Sequence, residues 1–423
     1  MPVDESGRGK AVFIPFTLPG EKVEAELTEV RQGFARAKLS EINTASPSRV
    51  EPPCPYFFKC GGCQHQIAEY PQQLEWKRDV LVETLQRTAK IKLEQEVHLV
   101  PSQPYKYRNR TRLKVQSSPE FAIGYYRFGT NELLAVEACP ISSPLIQSAL
   151  AAMWSVGRKG IDSQGLREVQ FFADHSDRRL LVEFYCGSDA DVPKLKPFAE
   201  ALRAQLGEIV GVTIFPRGVP ADDEDRPAES TANQNIRKTT IGQDSLTYET
   251  RHGEFQVSAE SFFQTNRFLI DDLVDTAIGG ATGRTALDLY AGTGLFSAPL
   301  AKRFDRVLAV EIAPSSFGDL QHNVPPNVKS IQSTTEQYLH NAGKRSGLDL
   351  VVLDPPRSGM GERIARLLGQ TQVPRITYVS CDPATLARDV RVLATAGYSI
   401  ESVHLVDMFP QTFHMETVVQ LTR

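Results

Sequence analysis

The chain has 423 residues, which is enough for two to four domains with substantial buried cores. Hydrophobic residues make up 41% of the sequence and charged residues 23%, as is ordinary for a globular protein. The formal net charge of -4 argues against a protein that coats nucleic acid with its whole surface, so any RNA contact must come from a local basic patch.

The sequence contains no recognisable targeting or membrane segment. Residues 1–20 mix charged residues, glycine and proline without a continuous apolar run, so no signal peptide is predicted. No stretch approaches the roughly 18 apolar residues that a membrane-spanning helix needs. We therefore expect a cytoplasmic protein without a membrane partner, and no motif indicates an obligate protein partner.

Three short strands are predicted near the N-terminus. Ala11 to Phe16 is largely apolar, Lys22 to Leu27 alternates polar and apolar residues, and Phe34 to Ile42 repeats this alternation. Glycine-containing turns separate them, which indicates part of a small β-barrel within residues 1–46. Because three strands rarely close a barrel, we expect either a further element that completes it or a missing first strand.

The cysteines are grouped unevenly, with three of the six inside ten residues and another after 75 intervening residues. Six cysteines are too few for a disulfide scaffold in a chain of this length, so the grouping suggests a metal site. Four thiolates ordinarily indicate zinc. The lopsided C-x5-C-x2-C spacing and the distant fourth cysteine favour an iron–sulfur cluster instead. The candidate ligands are Cys54, Cys60, Cys63 and Cys139.

A long helix and a basic strand are predicted next. Glu69 to Lys90 has a partly apolar helical face. In the segment that follows, a cation occupies every second position, so a strand would place all five cations on one face. Adjacent cations repel one another unless an anion offsets them, which favours a strip that follows RNA phosphates over an ordinary solvated face. These cations are Lys106, Arg108, Arg110, Arg112 and Lys114.

Residues 47–255 as a whole predict a central α+β domain, and we expect its helical part, residues 69–97, to pack on the C-terminal domain. Further strands are predicted at Leu166 to Phe172, Leu180 to Tyr185 and Leu246 to Val257, with a helix at Pro193 to Leu206.

Residues 256–423 predict a doubly wound, Rossmann-like α/β domain. Ser258 to Gly279 is predicted to open it with a helix, and strand and helix patterns then alternate from residue 285. Two final strands, Ser399 to Asp407 and Glu416 to Thr422, complete the predicted sheet. The five earlier strands are Thr285 to Tyr290, Arg306 to Glu311, Val328 to Gln332, Leu348 to Asp354 and Arg375 to Cys381.

The first strand of this domain runs into a glycine turn. Asp288, Gly292 and Gly294 form a D-x-x-x-G-x-G pattern, and Ser297 stands where a dinucleotide-binding turn has its third glycine. This pattern favours S-adenosylmethionine over NAD, because S-adenosylmethionine has no pyrophosphate to place on the helix N-terminus. Glu311 ends the second strand, where an acid can accept hydrogen bonds from both ribose hydroxyls.

Two further strand ends carry candidate chemistry. Asp354 to Arg357 resemble the D/N-P-P-aromatic loop of amino-directed DNA methyltransferases, but arginine replaces the aromatic residue, which disfavours an amine target. Cys381 ends another apolar strand, at the edge where α/β sheets bind their ligands. We interpret Cys381 as a nucleophile because these cofactor motifs accompany it.

The chain resembles the RNA uracil-carbon-5 methyltransferases over nearly its whole length. The resemblance is carried by Asp354-Pro355-Pro356-Arg357-Ser358-Gly359, by Tyr378-Val379-Ser380-Cys381-Asp382 and by the segment Asp407 to Glu416. It implies that Cys381 is the nucleophile and that Glu416 is a base.

The resemblance also implies the cofactors. The cysteine group would hold a 4Fe–4S cluster, and residues 7–42 would form a TRAM barrel that binds RNA. The residues that would bind S-adenosylmethionine are Gln264, Tyr290, Glu311 and Asp354, beside the turn at Gly292.

Such an enzyme needs a nucleophile because carbon 5 of uracil is too unreactive to attack a sulfonium methyl group. A thiolate that adds to carbon 6 creates an enolate, which takes the methyl group. A base must then remove the proton from carbon 5 so that the enzyme can leave by elimination. The sequence does not identify the group that helps Cys381 to ionise.

Family analogy favours a uridine in 23S ribosomal RNA, because both the barrel and the cluster ligands are present. A uridine in the T loop of transfer RNA is the alternative substrate. An alternative of another class is a non-catalytic RNA-binding or redox-sensing iron–sulfur protein. That interpretation explains the N-terminal half but not why Cys381, Glu416 and the cofactor motifs occur together.

Overall fold

The computed structural model describes residues 11–188, 190–216, 238–342 and 347–423. Within these ranges the strands form a three-stranded sheet, a seven-stranded sheet, a two-stranded hairpin and an eight-stranded sheet. Among the helices of this part of the chain, none combines the length and the apolar character that crossing a bilayer requires.

The elements before residue 217 follow local sequence signals. Helix α2, for example, begins where the side chain of Ser143 caps it and Pro144 occupies the first turn, where a missing N–H does no harm. A π-helical turn, Leu85–Ala89, extends helix α1. The strands and helices are β1 (Ala11–Phe13), β2 (Lys22–Val30), β3 (Phe34–Thr44), α1 (Tyr70–Thr84), β4 (Val97–Val100), β5 (Arg110–Gln116), β6 (Ala122–Tyr126), β7 (Leu133–Ala135), α2 (Pro144–Gly157), β8 (Leu166–Ala173), β9 (Leu180–Cys186), α3 (Val192–Gln205) and β10 (Ile209–Phe215).

The later elements alternate between strand and helix. The helix predicted from Ser258 begins only at Ile270, and an irregular connection with turns, which carries Gln264, precedes it. The elements are β11 (Thr239–Gly242), β12 (Ser245–Thr250), β13 (Gly253–Ser258), α4 (Ile270–Ile278), β14 (Gly283–Leu289), α5 (Ser297–Leu300), β15 (Phe304–Glu311), α6 (Pro314–Asn323), β16 (Val328–Gln332), α7 (Thr335–Ala342), β17 (Leu350–Leu353), α8 (Gly361–Thr371), β18 (Arg375–Ser380), α9 (Pro383–Thr395), β19 (Ser399–Val406) and β20 (Glu416–Thr422).

The eight-stranded sheet has the order β16-β15-β14-β17-β18-β20-β19-β4. The first five strands of this order are parallel, and β20 lies antiparallel between β18 and β19. Buried apolar side chains cover both faces, as the near-continuous apolar sequences of these strands require. The predicted Rossmann-like α/β fold is confirmed.

Elements from the N-terminal half take part in this C-terminal core. β4 forms the edge of the sheet and pairs in parallel with β19. Leu81 and Leu85 of the α1 region are fully buried in the same hydrophobic cluster as Leu353 and Tyr378. The helix and the sheet therefore share one core although about 270 residues separate them in the sequence.

The seven-stranded central sheet has the order β11-β10-β9-β8-β5-β6-β7. Helices α2 and α3 supply the buried apolar residues of its main core. Phe172 and Leu181 instead join the core that contains the β12–β13 hairpin and one face of the C-terminal sheet. The central and C-terminal sheets therefore pack through a continuous apolar contact.

The N-terminal sheet has the order β1-β3-β2 and packs on the cysteine loop, which we define as residues 54–68. Leu18 is buried against Phe57 and Ile67 of that loop. Arg49 donates to the Glu21 carboxylate through Nε at 2.5 Å and Nη2 at 2.8 Å, and this interaction lowers the pKa of Glu21 to about 2. The predicted barrel is represented here by three strands.

A buried ion pair joins α1 to the loop between β19 and β20, residues 407–415. The Nζ of Lys77 lies 2.6 Å from Oδ1 of Asp407, and their side chains are 1% and 0% exposed. Lys77 also donates to the carbonyl of Phe409 at 3.0 Å, and the hydroxyl of Tyr70 donates to Oδ2 of Asp407 at 2.9 Å. Burial lowers the pKa of Lys77, whereas the charge of Asp407 raises it.

Lys77→Ala should lower the free energy of unfolding by about 3–5 kcal/mol, because it leaves the Asp407 carboxylate buried without its cation. Denaturant unfolding followed by circular dichroism measures this change. Arg78→Ala is the matched control, because Arg78 lies on the same helix in partly exposed ion pairs and should cost less than about 1 kcal/mol. If the two substitutions lower the free energy of unfolding equally, the buried ion pair does not stabilise the fold more than the exposed pairs do.

Candidate active site

Chemically active side chains gather at one edge of the eight-stranded sheet. Parallel strands β14, β15, β17 and β18 end at this edge, and the antiparallel strand β20 begins there. β18 ends at Ser380, which pairs with Thr417, so Cys381 directly follows β18 next to Glu416, the first residue of β20. The charge of Glu416 acts on the thiol of Cys381. The register therefore brings the two predicted reactive groups together.

Cys381 lies in a site that disfavours a lone negative charge. Burial raises the pKa of its thiol above the ordinary value, and Glu416 and Asp354 raise it further. The charge of Arg357 has the opposite effect. Cys381 also immediately precedes Asp382, the N-cap of α9, and the positive end of a helix dipole favours a thiolate. Arg357 and this helix are thus the groups that can help the thiol to ionise.

Glu416 is 3% exposed, and one of its oxygens faces no donor. Burial raises the pKa of Glu416 well above its ordinary value, Asp354 adds to this effect, and Arg357 opposes it. Among the described residues, none donates a hydrogen bond to Oε1 of Glu416. A buried polar atom without a partner is costly, so this geometry suits a carboxyl group that meets a ligand.

The glycine turn after β14 and the end of β15 form the candidate cofactor pocket. Oε1 of Glu311 accepts hydrogen bonds from the N–H groups of Ile312 at 2.8 Å and Ala313 at 2.7 Å. Oε2 accepts from the N–H of Gly292 at 2.8 Å, in a turn where Gly292 has a φ of 55°. These bonds fix the carboxylate at the mouth of the turn, where ribose hydroxyls can reach it.

Three more groups complete this pocket. Gln264 donates to Oδ2 of Asp354 at 3.2 Å, and burial raises the pKa of Asp354 to about 7. Tyr290 follows β14 with a φ of 61°, a left-handed conformation that is unusual outside glycine and frequent at functional sites. Ser297 donates to Oδ2 of Asp288 at 2.5 Å, and burial raises the pKa of Asp288 to about 7.

The four candidate metal ligands line one cavity of about 290 Å³. Among the described residues, no group of three or more His, Cys, Asp or Glu side chains is arranged to hold a metal ion. The cavity is lined by Cys54, Cys60, Cys63 and Cys139, and also by Arg357, Phe409 and His414 from the catalytic domain.

The chemistry of this cavity fits an anionic, thiolate-bound cluster. Burial, together with the other thiolates of the group, raises the pKa of Cys60 to about 11 and that of Cys63 to about 12. Four thiolates therefore need bound cations to coexist here. Arg108 lines the same cavity, and its Nε finds no acceptor in the described parts of the chain. Such a donor suits a negatively charged sulfur.

The prediction that five cations share one exposed strand face is wrong. β5 begins at Arg110, so Lys106 and Arg108 lie outside the strand, and Lys106 has a φ of 57°. Lys106 is exposed, whereas Arg108 turns into the cysteine cavity. The alternation in the sequence therefore does not produce a continuous strip.

The three cations within β5 pair with acids from neighbouring strands. Arg110 is 7% exposed and lies 3.2 Å from Glu183 of β9. Glu168 of β8 accepts a hydrogen bond from Lys114 and lies 3.6 Å from Arg112. Protein carboxylates thus offset the charges that the sequence assigned to RNA phosphates. These acids lie more than 50 residues away in the chain, so local alternation could not reveal them.

Sequence reasoning also left out several residues that shape the site. Arg357 was recognised only as a departure from an aromatic motif, although its charge acts on both Cys381 and Glu416. Asp288 opens the D-x-x-x-G-x-G pattern, and that position was the available signal. Lys77 had no such signal, because only the folded chain brings it to Asp407.

Comparisons with known proteins agree with this geometry. The sequence model of the tRNA (uracil-5-)-methyltransferase family matches residues 69–423, and that of the TRAM domain matches residues 4–40. An uncharacterized RNA methyltransferase of Aquifex aeolicus is 30% identical over 98% of this chain and 93% of its own length. One from Listeria monocytogenes is 31% identical over 99% of this chain and 95% of its own.

A solved structure shares the overall fold. It is the tRNA (uracil-54, C5)-methyltransferase of Pyrococcus abyssi in complex with S-adenosyl-L-homocysteine. The TM-score is 0.75 at 24% identity, over 99% of this chain and 98% of the other.

Proposed function

Because this chain belongs to the tRNA (uracil-5-)-methyltransferase family, we propose that it methylates carbon 5 of a uridine in RNA through a covalent adduct with Cys381. The observation that carries the proposal is the register of β18 and β20, which brings Cys381 next to Glu416 beside a cofactor pocket. S-adenosylmethionine, the second substrate, supplies the methyl group. The TRAM match supports RNA as the partner.

In this proposal Cys381 activates the pyrimidine. Its thiolate forms a bond to carbon 6 of uracil, and the electron pair of the 5,6 double bond moves into the ring as an enolate. Arg357 offsets the negative charge that develops beside Cys381, in a site where burial and Asp354 oppose it. Carbon 5 then bonds to the methyl group as the sulfonium–methyl bond breaks.

Glu416 completes the reaction. Its carboxylate removes the proton from carbon 5, the double bond forms again, and the bond between sulfur and carbon 6 breaks. A buried carboxylate with a raised pKa is a stronger base than one in water, which favours this step.

We assign the remaining predicted residues to the binding of S-adenosylmethionine. Glu311 would accept hydrogen bonds from the ribose, and Asp354 with Gln264 would line the part of the pocket next to Cys381. Tyr290 and Gly292 would shape the turn against which the nucleoside packs.

The cysteine cavity would hold a 4Fe–4S cluster. Cys54, Cys60, Cys63 and Cys139 would be its ligands, and Arg108 would donate to one of its sulfurs. Such a cluster would hold the cysteine loop to the central sheet, which carries Cys139 on a neighbouring connection.

The RNA substrate is proposed as 23S ribosomal RNA, on the combination of a TRAM barrel with cluster ligands. The T loop of transfer RNA is the second candidate. Transfer RNA as the substrate is supported because a protein described as a tRNA (uracil-54, C5)-methyltransferase shares this fold over nearly its whole length. Methyl transfer to both RNA classes distinguishes the two candidates.

Transfer of labelled methyl groups to 23S ribosomal RNA fragments and to transfer RNA transcripts tests the function. Wild-type protein should label uridine at carbon 5 in one of these RNA classes, and Cys381→Ala should lower the rate by at least roughly 10³-fold. RNA that contains 5-fluorouridine should form a stable adduct only with intact Cys381 and the methyl donor. Unimpaired turnover by Cys381→Ala would end the covalent proposal.

Glu416→Gln should accumulate the methylated covalent intermediate, because the amide cannot accept the carbon 5 proton. We expect turnover to fall by about 10²–10⁴-fold while the adduct still forms. Denaturing gels measure the amount of protein–RNA adduct, and transfer of labelled methyl groups measures turnover. Rapid product release from this variant would assign the base to another residue.

Protein purified without oxygen should contain about four iron atoms per chain and absorb broadly in the visible range. Cys63→Ala should remove most of this iron. Cys186→Ala is the matched control, because Cys186 is buried in β9 and does not line the cavity. Stoichiometric zinc, or iron that persists in Cys63→Ala, would contradict the cluster proposal.

A further inference from the structure

We propose that Gln73 and Gln411 are positioning residues that hold Glu416 in place for proton removal. The inference rests on the proposed role of Glu416 as the base. Gln411 lies in the 407–415 loop, five residues before Glu416, and Gln73 lies on α1. Neither residue belongs to the motifs of the cofactor pocket.

The two glutamines bind each other through two hydrogen bonds, and Nε2 of Gln73 also donates to the carbonyls of His65 at 3.1 Å and Ala68 at 2.8 Å. Nε2 of Gln73 donates to Oε1 of Gln411 at 3.0 Å, and the backbone N–H of Gln411 donates to Oε1 of Gln73 at 3.1 Å. Gln73 is 0% exposed and Gln411 2%. Reciprocal bonds in a dry environment define one position for the loop relative to α1.

The cysteine loop holds the same residue from a second side. The carbonyl of Gln411 accepts hydrogen bonds from the N–H groups of Gln64 at 3.0 Å and His65 at 2.9 Å. Oε1 of Gln64 also accepts from the N–H of Phe413 at 3.4 Å. Gln64 directly follows the candidate ligand Cys63, so the cysteine cavity and the loop before Glu416 are mechanically connected.

The backbone of Gln411 is itself a sign of constraint. Its φ is 70°, in the left-handed region that side chains other than glycine seldom adopt. Such conformations persist where surrounding contacts determine them, and they concentrate at functional sites. Here the contacts are the amide pair with Gln73 and the two bonds to the carbonyl.

Further hydrogen bonds hold the part of the loop between β19 and Gln411. Lys77 binds Asp407 and the carbonyl of Phe409, and the hydroxyl of Tyr107 donates to the carbonyl of Pro410 at 2.9 Å. The bonds of Gln411 continue this series toward Glu416, and the bond from Phe413 to Gln64 follows them. Small displacements of a catalytic group strongly reduce rates, so loosening Gln411 should act on the step that Glu416 performs.

Gln73→Ala tests this inference, with single-turnover reactions on the RNA class that wild-type protein methylates, transcribed with uridine or with 5-deuterouridine. We expect adduct formation to stay within about twofold of wild type. Release of product should slow by about tenfold, a larger fraction of RNA should remain as methylated adduct, and the isotope effect at carbon 5 should increase. A general loss of folded protein would not change the isotope effect.

Gln72→Ala is the matched control, because Gln72 lies next to Gln73 on α1 and its side chain contacts Ser48 instead of the loop. It should behave as wild type. If Gln73→Ala slows adduct formation and product release equally, or changes neither, the positioning role is excluded.

Gln411→Gly provides a second test if Gln73→Ala does not fold. Glycine accepts a φ of 70° and keeps the backbone bonds to Gln64, His65 and Gln73, so only the bond from Nε2 of Gln73 to Oε1 of Gln411 is lost. It should also increase the isotope effect. If Glu416→Gln accumulates adduct while neither glutamine variant slows its release, this inference alone fails. If Glu416→Gln releases product rapidly, the proposed function of Glu416 fails as well.

Discussion

The antiparallel register of β18 and β20 is the constraint on which the site depends. It pairs Ser380 with Thr417 and so brings the residue after Ser380 close to the residue before Thr417. Because side chains alternate along a strand, a slip of one residue would send one of the two groups to the opposite face. Nearly every residue of the two strands is buried, so the same slip would move side chains into the wrong packed face, where their sizes no longer fit. Packing of the core therefore aligns the reactive pair.

Around this pair the protein concentrates acidic groups and removes water. Burial raises the pKa values of Cys381, Asp354, Asp288 and Glu416, so each negative charge is costly in the free site. Arg357 opposes this effect at Cys381 and Glu416. Groups with pKa values shifted by burial and by neighbouring charges are typical of catalytic sites.

The sequence predicted those parts of the molecule that local patterns encode. The alternating strands and helices of residues 285–423 follow from apolar runs and turns, and Cys381 and Glu416 follow from motifs at strand ends. Contacts between distant segments were not predictable in this way. The acids that pair with the cations of β5 come from other strands, and the irregular segment before Ile270 was assigned to a helix because its composition permits one.

The place of β4 in the C-terminal sheet has a consequence for how the chain is made. β4 pairs only with β19 in the described sheet, and β19 is synthesised about 300 residues later. At a synthesis rate of roughly 5–20 residues per second, the edge of β4 and the apolar face of α1 remain without their partners for about 15–60 s while the chain is on the ribosome. An unpaired strand of this kind can associate with other chains. Nascent copies of this protein should therefore depend on chaperones more than their finished stability suggests.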